Sequence, residues 1–238
     1  TRTAVIGATT VAAAVSAAVS PLIGRVVDKH GARVLMAASA AVAGGLLMAI
    51  SLVSSLWQFY LLFGVGIGLT RPGAAFVSAT TAVSNWFIRK RGRALALSSM
   101  GTGVSALLII PATQYIVTGF HWRAAWAMLG VMMWVLVALP AVFLIRRSPE
   151  DIGLMPDGEP AGNKQAVVAP RAASEPKGRG SQAEVNWDRR AALRTRAFWL
   201  VLVTIGLAHL PIMGIWLHSI SNFTDKGITA AGSAFALS

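Results

Sequence analysis

One basic side chain lies alone in a long apolar stretch, in the segment GIGLTRPGAAF at residues 66–76. Arg71 is the only charged residue within residues 57–85, and Pro72 and Gly73, which both weaken a helix, follow it directly. A guanidinium group stays charged at any working pH, and its planar fork matches a carboxylate. Arg71 is therefore a candidate to bind an anion. The alternative is a structural arginine that is bonded to helix ends or to an acid elsewhere.

Residue types for catalysis or metal binding are scarce. Asp28 is the only carboxylate before Glu150, the four histidines are scattered, and there is no cysteine for a disulfide or a thiolate metal site. The glycine-rich phosphate loop of a nucleotide-hydrolysing pump is also missing from the sequence. The sequence therefore predicts a protein that is not an enzyme and that uses no metal and no cofactor.

Apolar blocks must position the few polar candidates. Hydrophobic residues make up 55% of the chain and charged residues 13%, whereas a typical soluble domain has about 25% charged residues. A helix that crosses a bilayer needs about 20 mostly apolar residues. The sequence predicts an all-α polytopic membrane protein with spans at roughly residues 3–23, 34–54, 57–84, 94–117, 124–145 and 197–218, and a further apolar run begins at Ile228.

The basic residues indicate which loops face the cytoplasm. Of the 21 Lys and Arg residues, 17 lie in alternate loops: three after the first window, four after the third and ten after the fifth. The opposite loops hold only Arg123 and Lys226. Cytoplasmic loops are enriched in Lys and Arg in this way. The net charge of +12 therefore indicates topology and contact with anionic membrane lipids rather than nucleic-acid binding.

The layout predicts two helical halves joined by a linker. Residues 1–145 form one half, residues 146–196 a basic cytoplasmic loop whose composition predicts disorder, and residues 197–238 the start of a second half. The chain opens inside an apolar run at Thr1 and stops at Ser238. We expect it to be part of a longer protein, with one helix before the first window and more after the last.

A loop motif lies between the first two windows, in the sequence GRVVDKHGAR at residues 24–33. It resembles the G-x-x-x-D-R/K-x-G-R/K-R/K signature of the major facilitator superfamily, between transmembrane helices two and three. Ala32 stands where that signature usually has a base. The resemblance implies a fold of two six-helix halves and a role of the motif in conformational change. The positions that match are Gly24, Asp28, Lys29, Gly31 and Arg33.

Three further stretches resemble bacterial monocarboxylate porters and oxalate/formate antiporters within that superfamily. They are NWFIRKRGRALALSSMGTG at residues 85–103, GFHWRAAWAMLG at residues 119–130 and RRSPEDIGLMPDG at residues 146–158. This resemblance maps the windows onto transmembrane helices two to seven and the start of helix eight. Drug/proton antiporters carry glycines around the helix-five proline, but the sequence here reads LLIIPATQY around Pro111, which argues against a multidrug exporter.

His209 is the second candidate binding residue, at about mid-depth of the last complete window. Ionisable groups inside membrane helices normally face a cavity or the bundle interior. A neutral histidine bonded to a nearby carbonyl is an equally weighted alternative. The glycines at positions 64, 66, 68, 101 and 103 predict close helix packing rather than chemistry.

The function predicted from these features is secondary transport of a small organic anion, similar to a monocarboxylate, by alternating access. The resemblance places such a carrier in the inner (plasma) membrane as a multi-pass monomer, with proton or counter-anion coupling. A carrier for a neutral or cationic compound remains open as a second interpretation. A non-transporting membrane sensor is a third, although the long loop lacks the apolar content of a folded signalling module.

The sidedness of the loops gives a first test on a chain without native cysteine. We expect Ser55→Cys to react with a membrane-impermeant maleimide on intact, right-side-out vesicles, because its loop lies on the side with few basic residues. Arg171→Cys should react only after permeabilisation. Reaction of Arg171→Cys from the outside alone would contradict the topology, and the cysteine-free parent chain is the control.

Overall fold

The structure is a computed structural model that describes residues 2–74, 76–146, 153–154, 157, 191 and 193–227. The chain divides into two compact units, essentially residues 1–163 and 164–233, and each is described by itself. The interior of the basic loop, for which disorder was expected, and the apolar run from Ile228 lie outside the described residues.

Five long helices make up the described part of the first unit, and each is long and apolar enough to cross a membrane. Their positions match the first five apolar windows and confirm the all-α prediction. A sixth helix covers the sixth window in the second unit. The helices are α1 Arg2–His30, α2 Ala32–Ile50, α3 Leu56–Trp86, α4 Arg91–Gly119, α5 Trp122–Phe143 and α6 Arg196–Asp225.

The loop expected between the first two windows is mostly helical. Helix α1 continues to His30 and α2 begins at Ala32, so Gly31 alone connects them. Gly31 has φ 84°, a left-handed conformation that only glycine adopts without strain. Hydropathy placed the end of the first helix too early. The residues after residue 24 are more polar, so the apolar window ends there, although the backbone remains helical to His30.

Small residues form the interfaces between these helices. The buried apolar side chains of the first unit are mostly alanines, including Ala8 and Ala12 of α1 and Ala40 and Ala43 of α2. Large apolar side chains such as Leu108 lie at the surface instead. Lipid tails are as apolar as leucine, so membrane helices associate through the close approach that small residues permit.

Helix α3 is not uniform along its length. Its segments are α-helical over Leu56–Phe59, π-helical over Tyr60–Ile67, and α-helical over Gly68–Ala74 and Phe76–Trp86. The π-helical turns are a local widening that the hydropathy pattern does not encode, and such turns are frequent at functional sites.

The glycines of α3 lie at its contacts with two neighbouring helices. A Cβ added to Gly68 would lie 2.9 Å from the carbonyl oxygen of Ala12 in α1, and one added to Gly66 would lie 2.9 Å from a terminal carbon of Leu46 in α2. Gly64 meets Val11 of α1 in the same way. These contacts support the packing role expected for the three glycines.

The Trp134 side chain of α5 packs on α2 and forms a hydrogen bond to it. Trp134 begins a π-helical turn at residues 134–138. Its indole Nε1 donates a hydrogen bond of 2.8 Å to the carbonyl oxygen of Ala41, and its ring lies against Gly44 where any side chain would collide. The glycine on one helix and the indole on the other therefore set the approach of α2 and α5.

Arg123 connects the ends of α2 and α5 on the predicted outer side. Its Nη2 donates a hydrogen bond of 3.3 Å to the carbonyl oxygen of Val53, just beyond the end of α2. Its guanidinium also lies over the ring of Trp122, 5.0 Å from the centroid. The Trp-Arg pair that opens α5 thus has a structural role in joining two helix ends.

Helix α4 is the most exposed helix of the first unit, with no buried residue among those described. Cβ atoms built on Gly101 and Gly103 would meet no neighbouring atom within 4 Å. The described contacts therefore do not support the packing role that the sequence suggested for these two glycines.

The α3 glycines give a stability prediction that depends on what each would meet. Gly68→Ala should lower the thermal unfolding midpoint in detergent, because overpacking against rigid backbone costs about 1–3 kcal/mol and outweighs the roughly 0.5–1 kcal/mol gained by alanine in a helix. Gly66→Ala should change it little, since the Leu46 side chain can rotate away.

Gly103→Ala is the matched control in open space, and it should be neutral or stabilising. Equal destabilisation by all three substitutions would show that the α3–α1 contact is not what distinguishes Gly68.

Candidate functional site

Arg71 lies on the side of α3 that faces away from the helices packed in its own unit. The three residues that follow it, Pro72, Gly73 and Ala74, are all buried, and Gly73 packs on the Ser39 side chain of α2. The Arg71 side chain is exposed. Packing of this short segment on α2 therefore holds the guanidinium outside the helix contacts.

Within the described residues, Arg71 has no hydrogen-bond or ion-pair partner. The structural alternative required bonds to helix ends or to an acid, and the described part of the chain supplies neither. The carbonyls one turn earlier are also partly occupied, because Thr70 Oγ1 donates hydrogen bonds of 3.2 Å to the carbonyl oxygens of Gly66 and Ile67. The guanidinium is left with its full hydrogen-bonding capacity.

His209 belongs to the second unit, on the apolar first half of α6. Its Nδ1 lies 2.9 Å from the carbonyl oxygen of Ile205, one turn earlier. A carbonyl can only accept a hydrogen bond, so Nδ1 carries the proton and donates the hydrogen bond to Ile205. The carbonyl-bonded histidine of the alternative interpretation is therefore present, and the side chain is nevertheless exposed within its unit.

The residues of the loop motif occupy the last turns of α1 and the start of α2. Gly24 is inside the helix with open space around it, while Lys29 lies in the last turn, where a cation complements the helix dipole. Asp28 is exposed there without a hydrogen bond or ion pair to any described residue. Ala32, at the position that departs from the signature, is 3% exposed, so a long basic side chain would not fit its place.

The carboxylate that binds backbone amides directly before a helix is one that sequence reasoning did not select. Asp157 accepts hydrogen bonds from three consecutive backbone amides, those of Ile88, Arg89 and Lys90, at 3.3, 2.8 and 3.3 Å. These bonds, the Arg89 amide first, hold the pKa of the Asp157 carboxyl below its usual range, and the nearby Lys90 charge adds to the effect.

A sequence signal for this contact existed in the cap position of α4. Lys90 is the N-cap of α4 and provides no capping side-chain bond. Asp, Asn, Ser and Thr are the usual caps because their oxygens accept the free amides of the first turn. The residues around this cap, Arg89, Lys90 and Arg91, carry no side-chain acceptor, and Asp157 in the Pro-Asp-Gly after α5 accepts the amides of residues 88–90, which directly precede the helix.

The fold described so far defines a class, that of polytopic helical membrane proteins in which small residues bring the helices together. The profile of the Major Facilitator Superfamily matches residues 1–238. The chain belongs to this superfamily of transporters, as the loop motif indicated.

Curated relatives refine this similarity. The chain is 34% identical over 126 residues to monocarboxylate transporter 11 of Mus musculus, covering 51% of this chain and 27% of that protein. It is 33% identical over 127 residues to monocarboxylate transporter 2 of Homo sapiens, covering 50% and 25%. It is also 29% identical over 131 residues to the uncharacterized transporter ESBP6 of Saccharomyces cerevisiae, covering 55% and 19%. The aligned region thus spans between 19% and 27% of the length of these relatives.

The position of Asp28 gives a prediction that separates movement from binding. A negative charge in the last turn of α1 is unfavourable for its own helix dipole, so Asp28→Asn should not lower the stability of the protein. If Asp28 binds the end of another helix in a different conformation of the carrier, its carboxylate favours that conformation. Asp28→Asn should then lower the maximal transport rate roughly fivefold or more. Substrate affinity should stay within about twofold of wild type because the residue lies at the membrane surface.

Initial-rate uptake over a range of substrate concentrations, with detergent thermal unfolding as the stability control, measures both effects. A large loss of affinity in a normally inserted, stable variant would contradict the prediction.

Proposed function

We propose that the protein is a secondary transporter that moves a small organic anion, similar to a monocarboxylate, across the membrane by alternating access. Membership of the Major Facilitator Superfamily supports the transport mechanism. The similarity to proteins named monocarboxylate transporters supports the substrate class. One structural observation carries the assignment to this chain, and it is the unpartnered guanidinium of Arg71.

The cost of burying Arg71 in lipid argues for a cavity. Trp57 begins the third apolar window, at the predicted outer edge of the membrane. Arg71 lies 14 residues after it, or roughly 21 Å along an α-helix. This depth is near or slightly past the middle of a hydrocarbon core of about 30 Å. Insertion scales assign an arginine at that depth about 2.5–3.5 kcal/mol. Hydration in a water-filled cavity or a bound counter-charge removes that cost, so the exposed side of α3 at Arg71 is proposed to line the transport cavity.

The chemistry of the site favours an anion with a planar carboxylate. A guanidinium offers two parallel N–H groups that bind both oxygens of one carboxylate. Pro72 removes the amide that would bond the carbonyl one turn earlier, and backbone of this kind is tolerated in a membrane only where it is buried in protein or lines a cavity.

His209, in the second unit, is proposed as a second substrate-binding group. Its Nδ1 is committed to the carbonyl oxygen of Ile205, so the neutral ring presents Nε2 as an acceptor. Such an acceptor suits a hydroxyl or a protonated carboxyl of the substrate. Proton or counter-anion coupling, a plasma-membrane location and a monomeric state complete the proposal.

The test of the proposal is substrate binding by Arg71 variants of the full-length carrier in proteoliposomes. Arg71→Gln should weaken the apparent affinity for the transported anion by an order of magnitude or more, because it removes a charge-assisted pair in a site of low dielectric constant. Arg71→Lys should keep partial uptake, since the charge remains while the fork is lost.

Arg25→Gln is the matched control, because it removes the same charge from the exposed cytoplasmic end of α1. Counterflow of labelled anions measures affinity and separates a carrier from a sensor. Unchanged affinity for every anion carried, in a well-folded Arg71→Gln protein, would refute the role of Arg71. Counterflow of neutral or cationic compounds only would refute the substrate class.

A further inference from the structure

The contact between Asp157 and the connection from α3 to α4 joins segments that are distant along the chain. The shortest of its three hydrogen bonds, Arg89 N–H to Asp157 Oδ2 at 2.8 Å, spans 68 residues of sequence. The three amides belong to the short connection between Trp86 and Arg91. One carboxylate therefore accepts hydrogen bonds from three backbone amides in the connection between α3 and α4.

The backbone at Asp157 is shaped for this contact. Asp157 has φ 66° and Gly153 has φ 73°, so two left-handed residues turn the chain shortly after α5. A left-handed conformation is uncommon for a residue other than glycine, although aspartate tolerates it better than most. Conformations of this kind persist where the surrounding contacts hold them, and the three amide bonds provide such contacts.

The charges around the carboxylate reinforce its position. Asp157 lines a cavity of about 630 Å³ together with Arg89, Lys90, Gly92 and Arg93. The carboxylate also lies at the N-terminal end of α4, where the helix dipole favours a negative charge. Basic side chains, the dipole and the amides therefore all favour the ionised form at neutral pH.

The contact ties together the elements that any rearrangement at the cytoplasmic side has to move. Helix α3, which carries Arg71, ends directly before the bonded amides, and α4 begins directly after them. The segment from α5 that contains Asp157 leads along the chain to the second unit. The contact therefore joins the connection after α3 to a residue of the segment that follows α5.

From these contacts we infer that Asp157 is a positioning residue, a latch that holds the start of the connecting segment on the α3–α4 connection and sets the rate of the conformational cycle. The inference rests on the proposed transport function. It assigns Asp157 no contact with substrate, because the latch lies at the cytoplasmic end of the helices whereas Arg71 lies near mid-membrane.

Hydrogen exchange tests the contact without any substrate. In the full-length protein, Asp157→Ala should speed exchange of the amides of residues 88–90 by roughly tenfold, because a hydrogen bond to a charged acceptor is lost. Asp157→Glu should restore part of the protection. Glu175→Gln removes one negative charge from the same connecting loop and is the matched control. Unchanged exchange in Asp157→Ala would overturn the inference.

Acid should release the latch in the same experiment. The pKa of Asp157 is lowered from an ordinary value of 3.8, so the protection is complete above that value and is lost as the pH falls through the lower folded pKa. The basic groups that line the same cavity as this carboxylate are Arg89, Lys90 and Arg93. Loss of wild-type protection already near neutral pH would contradict the latch.

The conformational role is tested by cytoplasmic accessibility and by transport. In a Ser99→Cys background, where the cysteine lines a second cavity of about 360 Å³ between α2, α3, α4 and α5, Asp157→Ala should change the rate of maleimide labelling from the cytoplasmic side at least roughly threefold. The maximal uptake rate should change by a similar factor while KM stays within about twofold.

Each outcome decides the inference. Faster amide exchange with unchanged labelling and uptake would mean that Asp157 stabilises only the local backbone. A raised KM with an unchanged maximal rate would mean that Asp157 contacts the substrate. Either result would overturn the latch. If the wild-type carrier moves no organic anion, the proposed function fails, yet the exchange and labelling experiments still confirm or overturn the latch.

Discussion

The close contact of α3 with α1 and α2 is the constraint on which the proposed site depends. Gly68 approaches the backbone of α1 and Gly73 approaches Ser39 of α2 so closely that neither leaves room for a Cβ. With that face of the helix committed, the intervening Arg71 has to project on the opposite side. The position of the charge is thus a consequence of glycine packing elsewhere on the same helix, and no ion pair is needed to orient it.

Two acidic residues near helix ends, Asp28 and Asp157, differ in the number of partners that they have. Asp28 is in the last turn of its helix, where its charge opposes the dipole, and the described residues give it no partner. Asp157 lies next to the start of α4, where the amides of residues 88–90 and nearby basic side chains stabilise its charge. One acid is therefore held in this conformation, while the other is available to bind in a different one.

Much of the fold could be predicted from hydropathy, because a membrane span needs length and apolarity and little else. The six windows and the isolation of Arg71 followed from composition along the chain, whereas the two resemblances came from short sequence motifs. The extension of α1 to His30 was missed because hydropathy detects burial in lipid, whereas Gly31 φ 84° ends the helix through its backbone. The π-helical turns at Tyr60–Ile67 and Trp134–Ala138 have no local signature at all.

The candidate site was predictable only in part, for a related reason. Arg71 stands out because its type conflicts with its apolar surroundings, and that conflict is visible within one helix. Asp157 does not stand out in its own polar stretch. Its role is visible only from its hydrogen bonds to backbone amides such as that of Arg89, 68 residues away along the chain. A local sequence pattern can therefore identify a residue whose type conflicts with its surroundings. A residue whose partners are distant along the chain can be identified only from the tertiary structure.

An unpaired arginine also bears on how a carrier of this kind would work. Alternating access requires the cavity to close to both sides during the cycle, and closure removes water from the guanidinium. With an anion bound, the two charges compensate each other and the closed state is accessible; with the cavity empty, the desolvated charge penalises closure. An acid placed beside Arg71 would remove that penalty and with it the attraction for the substrate. Under the proposed function, an anion bound at Arg71 would therefore make closure of the loaded carrier easier than closure of the empty one.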